Sequence, residues 1–188
     1  MPDQYVTLVV VCEDLQHRVF LYRFLIEKGV VPRRIQFQQC PKGRGDAIQW
    51  VKSKHVREVA QLRKRPHILR GVVTVADADN CTVKDRKSQF DTELESIGQK
   101  PRQPNEPIAL VIPRRQIETW ILHLRGVAVD ENKKCKHFRG NESNCSAEVK
   151  RFAQKCPGGM NKDDLPSLQD GCSELSRLLQ YPGKDRKG

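Results

Sequence analysis

Two apolar, β-branched segments of the chain each end in carboxylates. Glu13 directly follows the segment 5–12, and Asp77 directly follows the segment 68–76, with Asp79 two residues further on. If both segments are neighbouring parallel strands, their carboxyl ends meet at one edge of the sheet, which is where open α/β sheets place their chemistry. Carboxylates that lie close together raise one another's pKa, and a divalent cation relieves the repulsion. Because Mg²⁺ prefers carboxylate oxygens, the three side chains predict a site for Mg²⁺ or Mn²⁺.

Strands and helices alternate along the first two thirds of the chain, as judged from the spacing of apolar residues. The predicted strands cover residues 6–12, 34–39, 68–76 and 108–112. The predicted helices cover residues 17–28, 47–63, 88–97 and 117–124, with a polar loop at 80–87. This alternation is typical of an α/β fold with a mostly parallel sheet of about four strands flanked by helices.

The character of the chain changes in its last third. The segment 130–144 is polar and basic and predicts a long loop, and helical patterns follow at 146–155 and 173–179. We therefore expect residues 1–126 to form the domain that carries the acids. Residues 127–188 are expected to form a basic loop and a small helical C-terminal extension packed on the same domain.

The composition points to a polyanionic partner. Lysine and arginine number 34 against 23 acidic residues, a net charge of +11, which favours nucleic acid. No apolar run approaches the roughly 20 residues of a membrane helix, so no membrane partner is expected. The chain starts without a basic segment typical of signal peptides, which predicts a cytoplasmic protein. The odd count of seven cysteines argues against a disulfide framework there.

Two pairs of basic residues are candidates for binding a nucleic-acid backbone. Lys42 and Arg44 lie in a glycine-containing loop after the second predicted strand, hence at the same sheet edge as the acids. Such a loop allows close approach of a phosphate, although a solvated turn is an equally good interpretation. Arg114 and Arg115 follow the fourth predicted strand and are expected to face the same cleft. The run 133–139 either lies along nucleic acid or is a charged loop.

Cysteine and histidine in the last third leave a zinc site as an open alternative. The candidates are Cys135, His137, Cys145 and Cys156. Their spacing does not match the Cys-x₂₋₄-Cys pairs that structural zinc sites use. Zinc therefore stays the weaker interpretation of these residues.

The acids and two helices together resemble the TOPRIM domain of topoisomerases, bacterial primases and OLD-family nucleases. The resemblance rests on Glu13 after the first strand, the Asp77-x-Asp79 motif after a later one, and the helix that contains Phe20-Leu21-x-x-Phe24-Leu25. The stretch 108–122, with Glu118 and Trp120 in a helix after the last core strand, is similar to a group of stand-alone TOPRIM-like proteins. The resemblance covers about residues 5–125.

The resemblance implies a TOPRIM/Rossmann-like sheet and a Mg²⁺-dependent nuclease that hydrolyses phosphodiester bonds in DNA or RNA. It implies that Glu13 is a metal ligand or a general acid/base, and that Asp77 and Asp79 hold the metal. Glu118 would complete a second metal site. It also implies a role in prokaryotic anti-phage defence beside an ATPase partner protein.

Two positions depart from the pattern of the OLD-like nucleases. These proteins usually have glycine directly after the glutamate and an acid four residues after it, where this chain has Asp14 and His17. Two other classes of function therefore stay open. One is a non-catalytic, basic nucleic-acid-binding subunit that keeps only the fold. The other is a phospho-receiver-like regulatory domain, which the net charge and the Asp-x-Asp form disfavour.

Overall fold

A four-stranded, fully parallel sheet forms the centre of the computed structural model, which describes residues 7–43, 45–135 and 144–181. The strands are β1 (Thr7–Cys12), β2 (Ile35–Gln39), β3 (Arg70–Val75) and β4 (Ile108–Val111). The helices are α1 (Leu15–Glu27), α2 (Ala47–Lys64), α3 (Val83–Ser96), α4 (Ile117–Leu124), α5 (Ser146–Lys155) and α6 (Pro166–Gln180), with a 3₁₀ turn at Pro32–Arg34.

The strand order is β2-β1-β3-β4, and every neighbouring pair is parallel. The predicted fold class, an α/β protein with a mostly parallel four-stranded sheet flanked by helices, is confirmed. The inner strands β1 and β3 are buried almost throughout, as expected for strands covered on both faces. Residues of α1, α4, α5 and α6 pack on one face and residues of α2 and α3 on the other.

Side-chain caps start several helices close to the carboxyl ends of the strands. Asp14 accepts a hydrogen bond from the main-chain N–H of His17 (2.9 Å) and starts α1, and Asp46 starts α2 in the same way. The predicted loop at 80–87 is wrong, because α3 already begins at Val83. Its start is fixed by a capping box, in which Thr82 and Asp85 each bond the other's main-chain N–H.

The last two helices complete the core of the first domain. Phe152 of α5 packs against Phe20 and Phe24 of α1 and against Trp120 of α4, with ring centroids 5.0–6.1 Å apart. Helix α6 is longer than predicted: it begins at Pro166, a residue suited to the first turn, and runs along β4. None of the helices within the described ranges is long and apolar enough to cross a membrane.

Helix α6 approaches α4 most closely at a glycine. A Cβ built on Gly171 would lie 2.6 Å from the Trp120 ring, closer than real Cβ atoms come to other atoms. We expect Gly171→Ala to lower the free energy of unfolding by about 1–3 kcal/mol, because the buried indole must move. Urea unfolding measures this, with Ser173→Ala on the exposed side of α6 as the control. Equal stabilities for both variants would show that α6 is not tightly packed there.

The prediction that the cysteines form no disulfide is wrong. Cys156 and Cys172 are disulfide-bonded and join the end of α5 to the middle of α6. The turn between the helices brings their Cα atoms to 5.6 Å, a separation that a disulfide spans, and the sequence spacing alone does not reveal it. Disulfides are rare in cytosolic proteins, so this bond and the cytoplasmic prediction point in different directions. The other five cysteines are not in disulfides.

Candidate active site

Glu13 and Asp77 lie at the same edge of the sheet. Strands β1 and β3 are neighbours with Cys12 opposite Val75, so the residues that follow each strand emerge side by side. Glu13 comes directly after β1, and Asp77 comes after β3 and Ala76. The register of the two strands therefore brings together two carboxylates that are 64 positions apart in the chain.

The environment of Glu13 suits proton transfer near neutral pH. Burial raises the pKa of Glu13 to about 7, with further upward contributions from Asp77 and Asp79 and a downward one from His17. Its Oε1 is buried and has no hydrogen-bond partner among the described residues. A carboxyl group that ionises close to pH 7 can act as an acid or as a base.

His17 supplies positive charge inside the acidic cluster. Its ring is fully buried, with Nε2 3.0 Å from Asp77 Oδ1 and Nδ1 3.3 Å from Asp14 Oδ1. Burial alone would lower the pKa of His17, but the nearby carboxylates, Asp77 foremost, outweigh it and raise the pKa to about 10. The counter-charge that the clustered acids require is thus provided in part by a protein side chain.

Asp77 is mostly buried, with 14% of its side chain exposed, and it is held at both its side chain and its main chain. Burial raises the pKa of Asp77, while the charge and the hydrogen bond of His17 lower it. Arg86 of α3 donates from Nε to the Asp77 carbonyl (3.0 Å) and from Nη2 to the Ala78 carbonyl (3.2 Å). The buried Arg86 side chain therefore fixes the backbone of the Asp-x-Asp segment, a role that nothing in the sequence indicated.

Asp79 does not share the orientation expected from an extended segment. Its φ is 53°, in the left-handed region that aspartate tolerates, and its side chain is 59% exposed. One carboxylate oxygen lies 3.4 Å from Arg86 Nη2. Residues two apart on an extended segment would point to the same side, but the backbone is not extended at Asp79. Asp79 is nevertheless close enough to raise the pKa values of Glu13 and Asp77.

Glu118 approaches the cluster from α4. It lies in the first turn of that helix, where a negative charge is favoured by the helix dipole. Burial raises the pKa of Glu118, and the charge of Asp77 contributes in the same direction. The side chain is half-buried and interacts with the same acid as Glu13 does, so the fourth predicted ligand also lies at this edge.

Arg114 and Arg115 bind the loop that follows Asp79. Arg114 Nη1 donates to the Cys81 carbonyl (2.7 Å), and Arg115 Nη1 donates to the Asp79 carbonyl (2.7 Å) and to Asn80 Oδ1 (2.8 Å). Their positive charges thus lie beside the acids, and these contacts hold the loop. Lys42 is exposed after β2. Arg44 lies outside the described residues, so its predicted contact with nucleic acid has no structural counterpart.

The acids fit an open magnesium site better than a closed one. Within residues 7–43, 45–135 and 144–181, no group of three or more His, Cys, Asp or Glu side chains is arranged to hold a metal ion. Mg²⁺, however, usually keeps several waters and is held by one or two carboxylates together with substrate phosphates. The unpartnered Glu13 Oε1 and the raised pKa values of Glu13, Asp77 and Glu118 are what carboxylates show before a cation joins them.

The zinc alternative loses one of its ligands. Cys156 is in the disulfide with Cys172 and cannot bind a metal as a thiolate. Cys145 is buried at the start of α5, and burial raises the pKa of its thiol. His137 lies outside the described residues, as does most of the basic run 133–139.

The fold and the site define a class of protein: an α/β protein with an acidic cluster at the carboxyl edge of a parallel sheet. The chain matches no protein-family model, no curated protein and no solved structure.

Proposed function

We propose that the chain is a Mg²⁺- or Mn²⁺-dependent nuclease of TOPRIM type that hydrolyses phosphodiester bonds in DNA or RNA. The observation that carries the proposal is Glu13, whose pKa is raised to about 7 beside the buried Asp77 at the carboxyl edge of the sheet. The net charge of +11 supports a polyanionic substrate. The sequence resemblance supports the reaction class.

Glu13 would act as the general acid/base. At neutral pH it is divided between its two protonation states, so it can take a proton from the attacking water or give one to the leaving oxygen. Asp77 and Glu118 would hold the ion, with Asp79 as a third candidate ligand from the solvent side. When bound, the ion would act as a Lewis acid on the phosphoryl group. Lys42 and the free donors of Arg114 and Arg115 would bind the flanking phosphates.

The resemblance to TOPRIM-like proteins also supports a proposal for the biological role and the location of the protein. We propose that the protein acts in prokaryotic anti-phage defence, in the cytoplasm and beside an ATPase partner. Co-purification from the native host, with wild type compared with a variant lacking the basic pair Arg114 and Arg115, tests for such a partner.

A second candidate is a nucleic-acid-binding subunit without catalysis. The observation that favours it is His17, because a buried side chain already supplies positive charge where the resemblance implies only a metal. The receiver-like alternative is less favoured, since the Asp77 carboxylate is buried and bonded to His17. Binding without cleavage would distinguish this candidate from the nuclease.

Removal of divalent metal is expected to abolish cleavage and to leave binding largely intact. Phosphate contacts by lysine and arginine do not depend on the ion, whereas the chemistry does. End-labelled single- and double-stranded DNA and RNA are incubated with the purified chain in Mg²⁺, in Mn²⁺ and in EDTA, and binding is measured in EDTA by fluorescence anisotropy. Intact substrates in all metal-containing reactions, alone and with the genomic partner, would contradict the nuclease proposal.

A further inference from the structure

The carboxylate of Asp77 has one hydrogen-bonding side chain among the described residues, and it is His17. Nε2 of the ring lies 3.0 Å from Asp77 Oδ1, and the ring is fully buried in the first turn of α1. Arg86 contacts Asp77 only through the main-chain carbonyl. Two helices therefore hold Asp77 at different groups. A side chain of α3 holds its main-chain carbonyl, and a side chain of α1 holds its carboxylate.

His17 is itself held in place by the residue that starts its helix. Asp14 Oδ1 accepts the main-chain N–H of His17 at 2.9 Å and lies 3.3 Å from ring Nδ1. Asp14 follows β1 and Asp77 follows β3, so the ring lies between the ends of the two central strands; Nε2 is hydrogen-bonded to Asp77, whereas Nδ1 lies near Asp14 without a hydrogen bond among the described residues. A fully buried ring packed in this way has little freedom to turn. The hydrogen bond from Nε2 therefore restrains the orientation of the Asp77 carboxylate.

The contact with His17 uses only part of the acceptor capacity of the carboxylate. One oxygen of Asp77 is bonded to His17, and a carboxylate has four lone-pair sites over its two oxygens. No other side chain among the described residues bonds the remaining sites, and the Asp77 side chain is 14% exposed. Side chains that orient a metal ligand in this manner commonly change metal affinity or activity by about 10–100-fold when they are removed.

We propose that His17 is the positioning residue of the acidic edge, which holds the Asp77 carboxylate in the orientation that a divalent cation requires. The inference rests on the divalent cation of the proposed function, and its Mn²⁺-binding readout does not depend on cleavage. In this account the histidine that replaces the acid expected from the resemblance is an addition to the site, since it acts on a ligand and is not one itself.

The test compares His17→Leu, which removes the donor, with His17→Gln, whose amide N–H₂ can reach the place of Nε2. Mn²⁺ binding is measured by electron paramagnetic resonance and cleavage by kcat and KM. We expect His17→Leu to weaken Mn²⁺ binding and lower kcat about 10–100-fold, with nucleic-acid affinity in EDTA unchanged. His17→Gln should recover most of both. His67→Leu, at an exposed position before β3, is the control for loss of a histidine.

Two outcomes separate the inference from the proposed function. If folded His17→Leu binds Mn²⁺ and cuts like wild type, the inference is overturned and the nuclease proposal stands. If wild type binds Mn²⁺ but does not cut, the nuclease proposal fails and the Mn²⁺ affinity of His17→Leu decides the inference: a wild-type affinity overturns it, and a loss of about 10–100-fold supports it. If wild type binds no Mn²⁺, both the inference and the nuclease proposal are overturned.

A third measurement covers the case in which His17→Leu does not fold. Long-range ¹H–¹⁵N spectra of otherwise wild-type protein report the hydrogen bond of His17 Nε2 directly. The signal should shift in Asp77→Asn and stay in place in Asp79→Asn, because Nε2 is hydrogen-bonded to Asp77, whereas the Asp79 carboxylate lies beside Arg86. Equal responses in the two variants would overturn the inference.

Discussion

Glu13→Gln is expected to lower the rate of metal-dependent cleavage roughly 10²- to 10⁴-fold, which is the usual contribution of a general acid or base. The amide keeps the shape of the side chain but can neither take up nor release a proton near pH 7. The position of Glu13 between β1 and α1 and its raised pKa are what assign it this step. Cleavage kinetics at saturating Mn²⁺ measure the loss.

The same variant is expected to be more stable than wild type at pH 8 when metal is absent. The folded-state pKa of Glu13, about 7, lies above its ordinary value of 4.5, so the folded protein holds this proton more tightly than the unfolded chain does. The stability associated with the proton is fully present below pH 4.5 and is lost as the pH rises through 7. Glutamine carries no buried charge at pH 8 and avoids this loss.

Glu27→Gln, at the exposed end of α1, is the matched control for both effects. It should cut at the wild-type rate and show the wild-type dependence of stability on pH. Loss of activity together with loss of stability in Glu13→Gln would mean that Glu13 has a structural role, and would contradict the assignment of a functional carboxylate. A gain in stability with loss of activity is the pattern of a residue kept for function.

Glu174→Gln is expected to produce the largest loss of stability, about 3–5 kcal/mol, which is the usual effect of removing one partner of a buried ion pair. Glu174 is 10% exposed and accepts from Arg102, from Lys87 at 2.9 Å and from Arg177 at 3.0 Å. Its Oε2 also accepts from the main-chain N–H of Leu110 at 3.4 Å. The amide removes the negative charge that the three cations share and replaces one acceptor oxygen with an N–H₂ donor.

The dependence on pH provides a second measurement for Glu174. Burial alone would raise its pKa, but Arg102 and Lys87 outweigh burial and lower the pKa to about 2. The stability that Glu174 contributes is therefore present above pH 4.5 and is lost as the pH falls through 2. Acid unfolding of Glu174→Gln should be less steep over that range.

Asp170→Asn is the control, because Asp170 bonds Lys87 from the same helix but is 37% exposed. Solvent screens such a pair, and the expected loss is at most about 1 kcal/mol. If chemical unfolding gave the two variants equal stability, the network around Glu174 would have no special role in holding α6 against β4.

The fold could be predicted because its signals are local. Continuous β-branched segments mark the buried strands, and the alternation of strands with helices leaves a parallel sheet as the economical arrangement. Helix boundaries were less accurate where a cap was overlooked. The Thr82–Asp85 capping box is visible in the sequence, but the predicted loop at 80–87 covers it. The predicted start of α3 therefore lies five residues after the start in the structure.

The site was predicted in part, because the order of the strands and helices follows from local sequence patterns and side-chain contacts do not. The position of Glu13 after β1 and of Asp77 after β3 follows from the order of the elements. The burial of His17 could have been inferred, since it lies one turn after Glu13 on the helix that leaves the same edge. Arg86 reaches Asp77 from nine positions away by the way α3 folds back, and the left-handed turn at Asp79 has no simple signal.

The contact of α6 with β4 has a consequence for the size of the smallest autonomous unit. Arg177 and Glu174 satisfy main-chain groups of Ile108 and Leu110, and Phe152 fills the space between Phe20 and Trp120. A truncation after residue 126 would uncover the edge strand β4 and expose the rings of Phe20 and Trp120 to water. The acidic edge is therefore the property of the whole polypeptide, and a minimal fragment for engineering has to retain both C-terminal helices.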